Sequence, residues 1–282
     1  MKRPLVAFQG ERGAFSEEAA RKLLGNDIEV LGCQRFEDVF RSLVAKRVQA
    51  AVIPIENTLH GSVHENYDHL LHFNLPIVAE TSIRIVHHLM APPGVSFAQL
   101  RRVYSHPVAL NQCLNFFAQH PKIERVPFYD TAGSAKMVMA DRPEGAGAIA
   151  SAVAAETYGA RILRRSIEDD RQNFTRFFLL RNPGFARRHP QKTSSKTQWK
   201  TSLVFSVRNI PGALFRSMGA FALRDLDLAK IESRPMRGKL WEYMFYLDFI
   251  GRADAPVSRN ALNNLREVAD FVRVLGCYPK GD

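Results

Sequence analysis

Residues 1–180 alternate short β-rich runs with helix-like ones, and that alternation restricts the fold more than any other feature of the chain. Leu5–Gln9 predicts a strand, followed by the loop Gly10-Glu11-Arg12-Gly13 and a helix from about Ser16 to Leu24. Ile28–Gly32 and Phe36–Ala45 repeat the pair, and Ala50–Ile55 leads to a helix from about Val63 to Phe73. After the extended run Pro76–Ile85, three more pairs follow. These are Val103–Ser105 with Pro107–Ala118, Arg125–Tyr129 with Ala132–Ala140, and Gly147–Ala150 with Ser151–Tyr158. A strand followed by a crossover helix pairs with the next strand in parallel, so helices cover both faces of the sheet. Two such sets, joined by a long extended segment, imply two α/β lobes of mostly parallel sheet, roughly 1–77 plus 174–182 and 78–173. Ligands of these folds sit in a crevice at the carboxyl ends of the strands.

The pattern changes after residue 182. Residues 183–199 hold two prolines, Arg187-Arg188 and Thr193-Ser194-Ser195, which is linker chemistry. From about Lys200 a compact unit begins, with strands at Thr201–Val207, Ala229–Ser233, Trp241–Phe249 and Val272–Tyr278 and helices at Ala213–Arg224 and Arg259–Ala269. The order β-α-β-β-α-β is ferredoxin-like.

The chain has 282 residues and a net charge of +11, yet residues 181–200 alone carry six basic and no acidic side chains. The excess therefore reads as a solvated basic linker. A nucleic-acid partner is not expected, because no recognisable module carries base-contacting groups. No apolar run approaches the roughly 18 residues of a membrane span, and Pro4–Gln9 is too short for a signal peptide. Cys33, Cys113 and Cys277 are scattered and odd in number, as reduced thiols of a cytoplasmic protein would be.

Polar clusters recur where strands end. Gln9-Gly10-Glu11-Arg12-Gly13-Ala14-Phe15-Ser16 reads either as a turn capped by Ser16 or as an anion cradle. It is not a dinucleotide fingerprint, since the third glycine is missing. Glu56, Asn57 and Thr58 follow an apolar strand, the usual place for ligand-facing groups. Ser105-His106-Pro107 opens a helix with Ser105 as its cap, and Gln112 and Cys113 lie one to two turns in. Thr131 caps the helix at Asp130-Thr131-Ala132-Gly133-Ser134. His60 and His64 stand four apart, a metal-type spacing with no third ligand, so no metal is expected. There is no GxSxG elbow. A cleft of neutral hydroxyls and amides suits an anionic substrate and chemistry done by positioning and hydrogen bonding.

The stretch Asp169-Asp170-Arg171-Gln172-Asn173-Phe174-Thr175-Arg176-Phe177 closes the larger region. On a strand, Asn173, Thr175 and Phe177 face one way, and Phe174, Arg176 and Phe178 the other.

These pieces resemble the prephenate dehydratase family. They are QGERGAFSEEAA (9–20), VIPIENTLHGSVHENYDHLL (52–71), SHPVALNQC (105–113), YDTAGSAK (129–136), AIASAVAAETYG (148–159) and DDRQNFTRFFLL (169–180). Residues 200–250 resemble the phenylalanine-binding ACT module, through Gly212-Ala213-Leu214 and Glu232-Ser233-Arg234-Pro235. Thr58 stands where Ser is usual and Phe15 where Tyr is common.

The resemblance implies a periplasmic-binding-protein-like catalytic region at 1–182 and an ACT domain at 200–282. It implies conversion of prephenate to phenylpyruvate without a cofactor, or of arogenate to phenylalanine. Thr175 is then the catalytic hydroxyl, with Glu56, Asn57, Ser105 and Gln112 in the same cleft. Thr58, His106, Thr131, Asn173, Arg176 and Phe177 contact substrate. Arg176 either holds a carboxylate or braces the lobes, since strand parity turns it away from Thr175. L-phenylalanine, as effector, binds Asn209, Gly212, Ala213, Leu214, Glu232, Ser233, Arg234 and Pro235 between paired modules of a homodimer or homotetramer. A two-lobed binding protein without catalysis is the rival, because fold alone does not choose function.

Overall fold

The structure is a computed structural model that describes residues 3–182, 197–236 and 242–281. The expected linker falls largely on 183–196, outside the described residues. The chain divides into two compact units, Met1–His69 with Thr81–Leu179, and Leu70–Glu80 with Leu180–Asp282.

In the first lobe of the first unit, β1 (Leu5–Gln9), α1 (Phe15–Leu24), β2 (Glu29–Cys33), α2 (Phe36–Val44) and β3 (Ala50–Asn57) follow in order, with a two-residue β4 (Gly61–Ser62) folding back on β3. β1 pairs in parallel with both β2 and β3. β1 and β3 are apolar almost without interruption because helices cover both faces, and Val6, Ala7, Phe8, Val52, Ile53 and Ile55 are fully buried. β3 runs two residues further than the alternation predicts, to Asn57, because Glu56 and Asn57 pair with Ser62 and Gly61. The chain then passes through α3 (His64–Phe73) and β5 (Ile77–Arg84).

The second lobe comprises β6 (His88–Ala91), β7 (Arg102–Ser105), α4 (Pro107–Asn111), α5 (Leu114–Gln119), β8 (Glu124–Pro127), α6 (Thr131–Asp141), β9 (Ala146–Ala150), α7 (Ala152–Tyr158) and β10 (Arg161–Arg164). Its strand order is β10-β6-β9-β7-β8. β7 is parallel to β8 and β9, whereas β6 is antiparallel to β9 and β10, so this sheet is mixed. The four-residue β6 and β10 are too short to show a period, and neither was expected. β11 (Phe174–Arg181) returns to lie beside β3. The lobes pack closely at Gly13, where a Cβ would stand 2.6 Å from Ala154 Cα, and Ser151 Oγ donates to Gly13 O at 2.6 Å.

Three helix starts differ from expectation. Ser16 lies inside α1, and the Glu17 carboxylate accepts Gly13 N–H instead. Asp130, not Thr131, caps α6, its Oδ1 accepting from Gly133 N at 2.6 Å. The single helix expected at Pro107–Ala118 is two, because the Asp169 carboxylate takes the Leu114 and Asn115 amides at 2.7 and 3.0 Å and starts α5 afresh.

The second unit contains β12 (Trp199–Val207), α8 (Ala213–Ala222), β13 (Leu228–Pro235), β14 (Tyr243–Ile250), α9 (Pro256–Val268) and β15 (Phe271–Pro279). Its antiparallel order is β13-β14-β12-β15, the ferredoxin-like arrangement, with β13 at the edge. Leu203, Phe205 and Val207 alternate on β12 and meet Ala261, Leu262 and Leu265 of α9, which lie on one helical face. Gly276 of β15 pairs with Ile77, where any Cβ would stand 2.2 Å from Ile77 O.

Candidate active site

β3 and β11 end side by side, and their polar tips form one cluster. The Asn57 side-chain oxygen accepts from Leu59 N and His60 N, both at 3.0 Å. That turn leaves the amide NH2 pointing at β11, where it meets Asn173 Oδ1 at 2.7 Å and Thr175 Oγ1 at 3.0 Å. Thr175 accepts from an amide that can only donate, so its own proton is directed elsewhere. Thr58 Oγ1 donates to Gln172 O at 2.7 Å and accepts from Phe174 N at 3.0 Å, which ties the loop to the strand.

Strand parity sends Glu56 and Arg176 to the opposite face. There the Arg176 guanidinium lies 3.5 Å from Glu56 Oε2 and 4.8 Å over the Phe178 ring. This contact ties β3 to β11 within the first lobe, rather than bracing one lobe against the other. Glu56 is thereby turned away from Asn57 and Thr175.

The second lobe supplies Gln112. The break between α4 and α5 places it at the junction, where its backbone carbonyl accepts from Asp169 N at 2.7 Å. Its side-chain Nε2 donates to His60 Nδ1 at 3.1 Å, and its Oε1 accepts from His87 Nε2 at 2.7 Å. His60 sits in the turn between β3 and β4 rather than on a helix with His64. Among the described residues, no three His, Cys, Asp or Glu side chains converge to hold a metal.

The other expected residues lie on or beside β7, α6 and β11. Ser105 is fully buried and donates to Ile149 O at 2.7 Å, so it does not cap α4. His106 is that cap, accepting from Val108 N at 3.2 Å. Burial lowers the His106 pKa and raises that of the neighbouring Asp130. Thr131 is the first residue of α6, and its carbonyl accepts from Ser134 Oγ. Asn173 is fully buried and reaches the cluster through Asn57, while Phe177 belongs to the core. Burial pushes the Cys113 thiol up, which keeps it protonated and unreactive.

Sequence reasoning missed His87, Glu168 and the site role of His60. Glu168 is buried, pairs with Arg84 at 2.8 Å and accepts from His87 N at 3.0 Å. Only its place beside Asp169 in the closing stretch hinted at this.

In the second unit, Val207, Arg208, Asn209, Ile210, Gly212 and Ala213 line a cavity of about 200 Å³, with Leu214, Phe215, Tyr243 and Phe245. Gly212 has φ +76°, a conformation that favours glycine. Glu232, Ser233, Arg234 and Pro235 are not among its lining residues and lie on the edge strand β13.

The chain matches the family model "Prephenate dehydratase" over residues 6–184. It is 44% identical to "Arogenate dehydratase/prephenate dehydratase 2, chloroplastic" of Arabidopsis thaliana, over 97% of this chain and 72% of that one. The prephenate dehydratase of Arthrobacter aurescens, solved with L-Phe, superposes with a TM-score of 0.85 at 30% identity, over 98% of this chain and 90% of that one. A structure described as GqqA, a quorum quenching acylase, superposes with a TM-score of 0.87 at 33% identity, over 98% of both chains. The match over 6–184, with the cluster it contains, establishes that this chain belongs to the prephenate dehydratase family.

Proposed function

We propose that the protein converts prephenate to phenylpyruvate, water and carbon dioxide, under control by L-phenylalanine. The observation that carries the reading is Thr175, which accepts from Asn57 at 3.0 Å and so keeps its proton for the substrate. In the reaction the ring carboxylate leaves as carbon dioxide. Its electron pair aromatises the ring, and the ring hydroxyl departs and takes up a proton. Aromatisation supplies the driving force, so catalysis consists of helping hydroxide leave. Thr175 donates a hydrogen bond to that oxygen as negative charge develops on it. The Gln112 amide donates from the opposite lobe. The departing carboxylate is best left weakly held, because a tight ion pair stabilises the ground state. The pairing of Arg176 with Glu56 agrees with that requirement.

Arogenate is the second reading, since the name of the Arabidopsis relative at 44% identity gives both activities. The effector reading rests on the 200 Å³ cavity around Asn209, Gly212, Ala213 and Leu214. The remaining expected residues, Glu232 to Pro235, lie on β13, the outermost strand of its sheet, where a second copy can approach them. A homodimer or homotetramer would complete the phenylalanine site in this way, and three free cysteines suit a reducing cytoplasm.

Purified protein given prephenate and arogenate separately, with and without L-phenylalanine, tests the reading through quantified products. Turnover of neither overturns it. An acyl amide added as a third substrate tests whether the acylase activity named for the GqqA structure extends to this chain.

A further inference from the structure

We propose that His87 is a positioning residue for this reaction, holding the Gln112 amide so that its NH2 faces the first lobe, one hydrogen on His60 and one toward the substrate. The proposal rests on the dehydratase reading for its kinetics, but not for its geometry.

His87 lies just beyond β5 and is 2% exposed. Its backbone and one edge of its ring are held. Its backbone N–H donates to Glu168 Oε2 at 3.0 Å, and its carbonyl accepts from Ile167 N at 2.9 Å. Phe15 packs edge-on against the ring at 5.9 Å. Glu168 is itself fixed by Arg84 at 2.8 Å. The ring therefore presents Nε2 to Gln112 Oε1, at 2.7 Å, from a rigid mount.

A carbonyl oxygen only accepts, so His87 carries its proton on Nε2. Its Nδ1 is buried and has no hydrogen-bond partner. As a bare lone pair this atom is tolerable. With the Gln112 amide reversed, the proton would move to Nδ1 and leave a buried N–H without an acceptor, the costlier defect. The orphaned nitrogen thus selects one orientation of the amide. The same choice makes Gln112 Nε2 the donor to His60 Nδ1 at 3.1 Å, so His60 also carries its proton on Nε2. The His60 backbone N–H is bound in turn by Asn57, which holds Thr175. A run of hydrogen bonds therefore links His87 across the lobes to the catalytic hydroxyl; the buried end sets the orientation of Gln112 and the tautomer of His60, while backbone amides orient Asn57.

Two measurements test this. Long-range proton–nitrogen spectra of histidine-labelled full-length protein should show both His87 and His60 protonated on Nε2 alone. A proton on His87 Nδ1 overturns the proposal, whatever the enzyme turns over. In kinetics with the substrate that the wild type accepts, His87→Phe and Gln112→Ala should each lower kcat at least tenfold. The double variant should be no slower than Gln112→Ala, because one residue acts through the other. His87→Gln, which restores a donor, should recover part of the loss. Additive losses, or no recovery with His87→Gln in a protein that melts like wild type, would refute it. If His87→Phe does not fold, the spectra and the His87→Gln rate still decide. Wild-type protein inert toward both prephenate and arogenate would sink the functional reading and leave the spectral result standing.

Discussion

The Asn57 amide nitrogen stands 3.0 Å from Thr175 Oγ1, and two backbone amides on its own oxygen prevent it from turning round. Donor and acceptor are thus assigned without ambiguity. Thr175→Val should lower kcat about 100- to 1,000-fold, the loss typical of one donor to a developing oxyanion. Thr175→Ser should keep most of the rate. Asn57→Asp should fall with Thr175→Val, because a carboxylate would attract the hydroxyl proton to itself. Steady-state kinetics on the three variants decide the point, and near-normal turnover by Thr175→Val would remove its role.

Arg176 spans Glu56 and the Phe178 ring, and its side chain is 14% exposed. Arg176→Ala should therefore cost about 1–2 kcal/mol of stability while KM stays within about twofold. Thermal unfolding beside kinetics separates the outcomes. A raised KM with an unchanged melting temperature would instead make Arg176 a carboxylate ligand.

Stability should fall as pH drops below neutrality. Burial lowers the folded pKa of His87, and Gln112 and Glu168 only partly oppose it. Burial does the same at His88, helped by Arg165, and at His106. Unfolded histidines take up protons near pH 6.5, which the folded ones refuse, so the unfolded state binds more protons and gains as pH falls. Asp130 and Glu18, whose carboxyl pKa values are raised, act in the opposite direction at lower pH. The melting temperature should decrease between pH 7.5 and 5.5, and His87→Gln should flatten that slope. A flat wild-type profile would contradict the buried, neutral state of these rings.

Lys200 and Glu80 form a buried pair at 2.6 Å within the second unit. Lys200→Ala removes a cation from a buried carboxylate that also accepts from Gly281 N, and should destabilise by up to about 3–5 kcal/mol. Glu80→Gln in the same chain should recover much of that in a denaturant titration.

For the effector cavity, L-phenylalanine at 100 times its dissociation constant should stabilise the protein by about 2.7 kcal/mol. Asn209→Ala should abolish that shift. Persistence of the full shift would place the effector elsewhere.

By itself the sequence determined the βα alternation of the larger region, the ferredoxin-like order after Lys200, and the residues Asn57, Thr175 and Gln112. The alternation and the order are local signals, periods of 2 and 3.6, and Asn57 is a polar tip on an apolar strand, whereas Thr175 and Gln112 stand out only through the resemblance of their motifs to a known family. Tertiary structure decided the rest, because it depends on partners far apart along the chain. Asp169 breaks the helix after Asn111 from more than fifty residues away and so places Gln112. The mixed second sheet follows from β6, whose four residues carry no period of their own. Parity on β11 foretold that Thr175 and Arg176 diverge, but only the neighbouring β3 shows that Glu56 goes with Arg176 and Asn57 with Thr175. The tautomer of His87 rests on one carbonyl oxygen and one nitrogen without a partner, a fact of burial that no residue pattern contains.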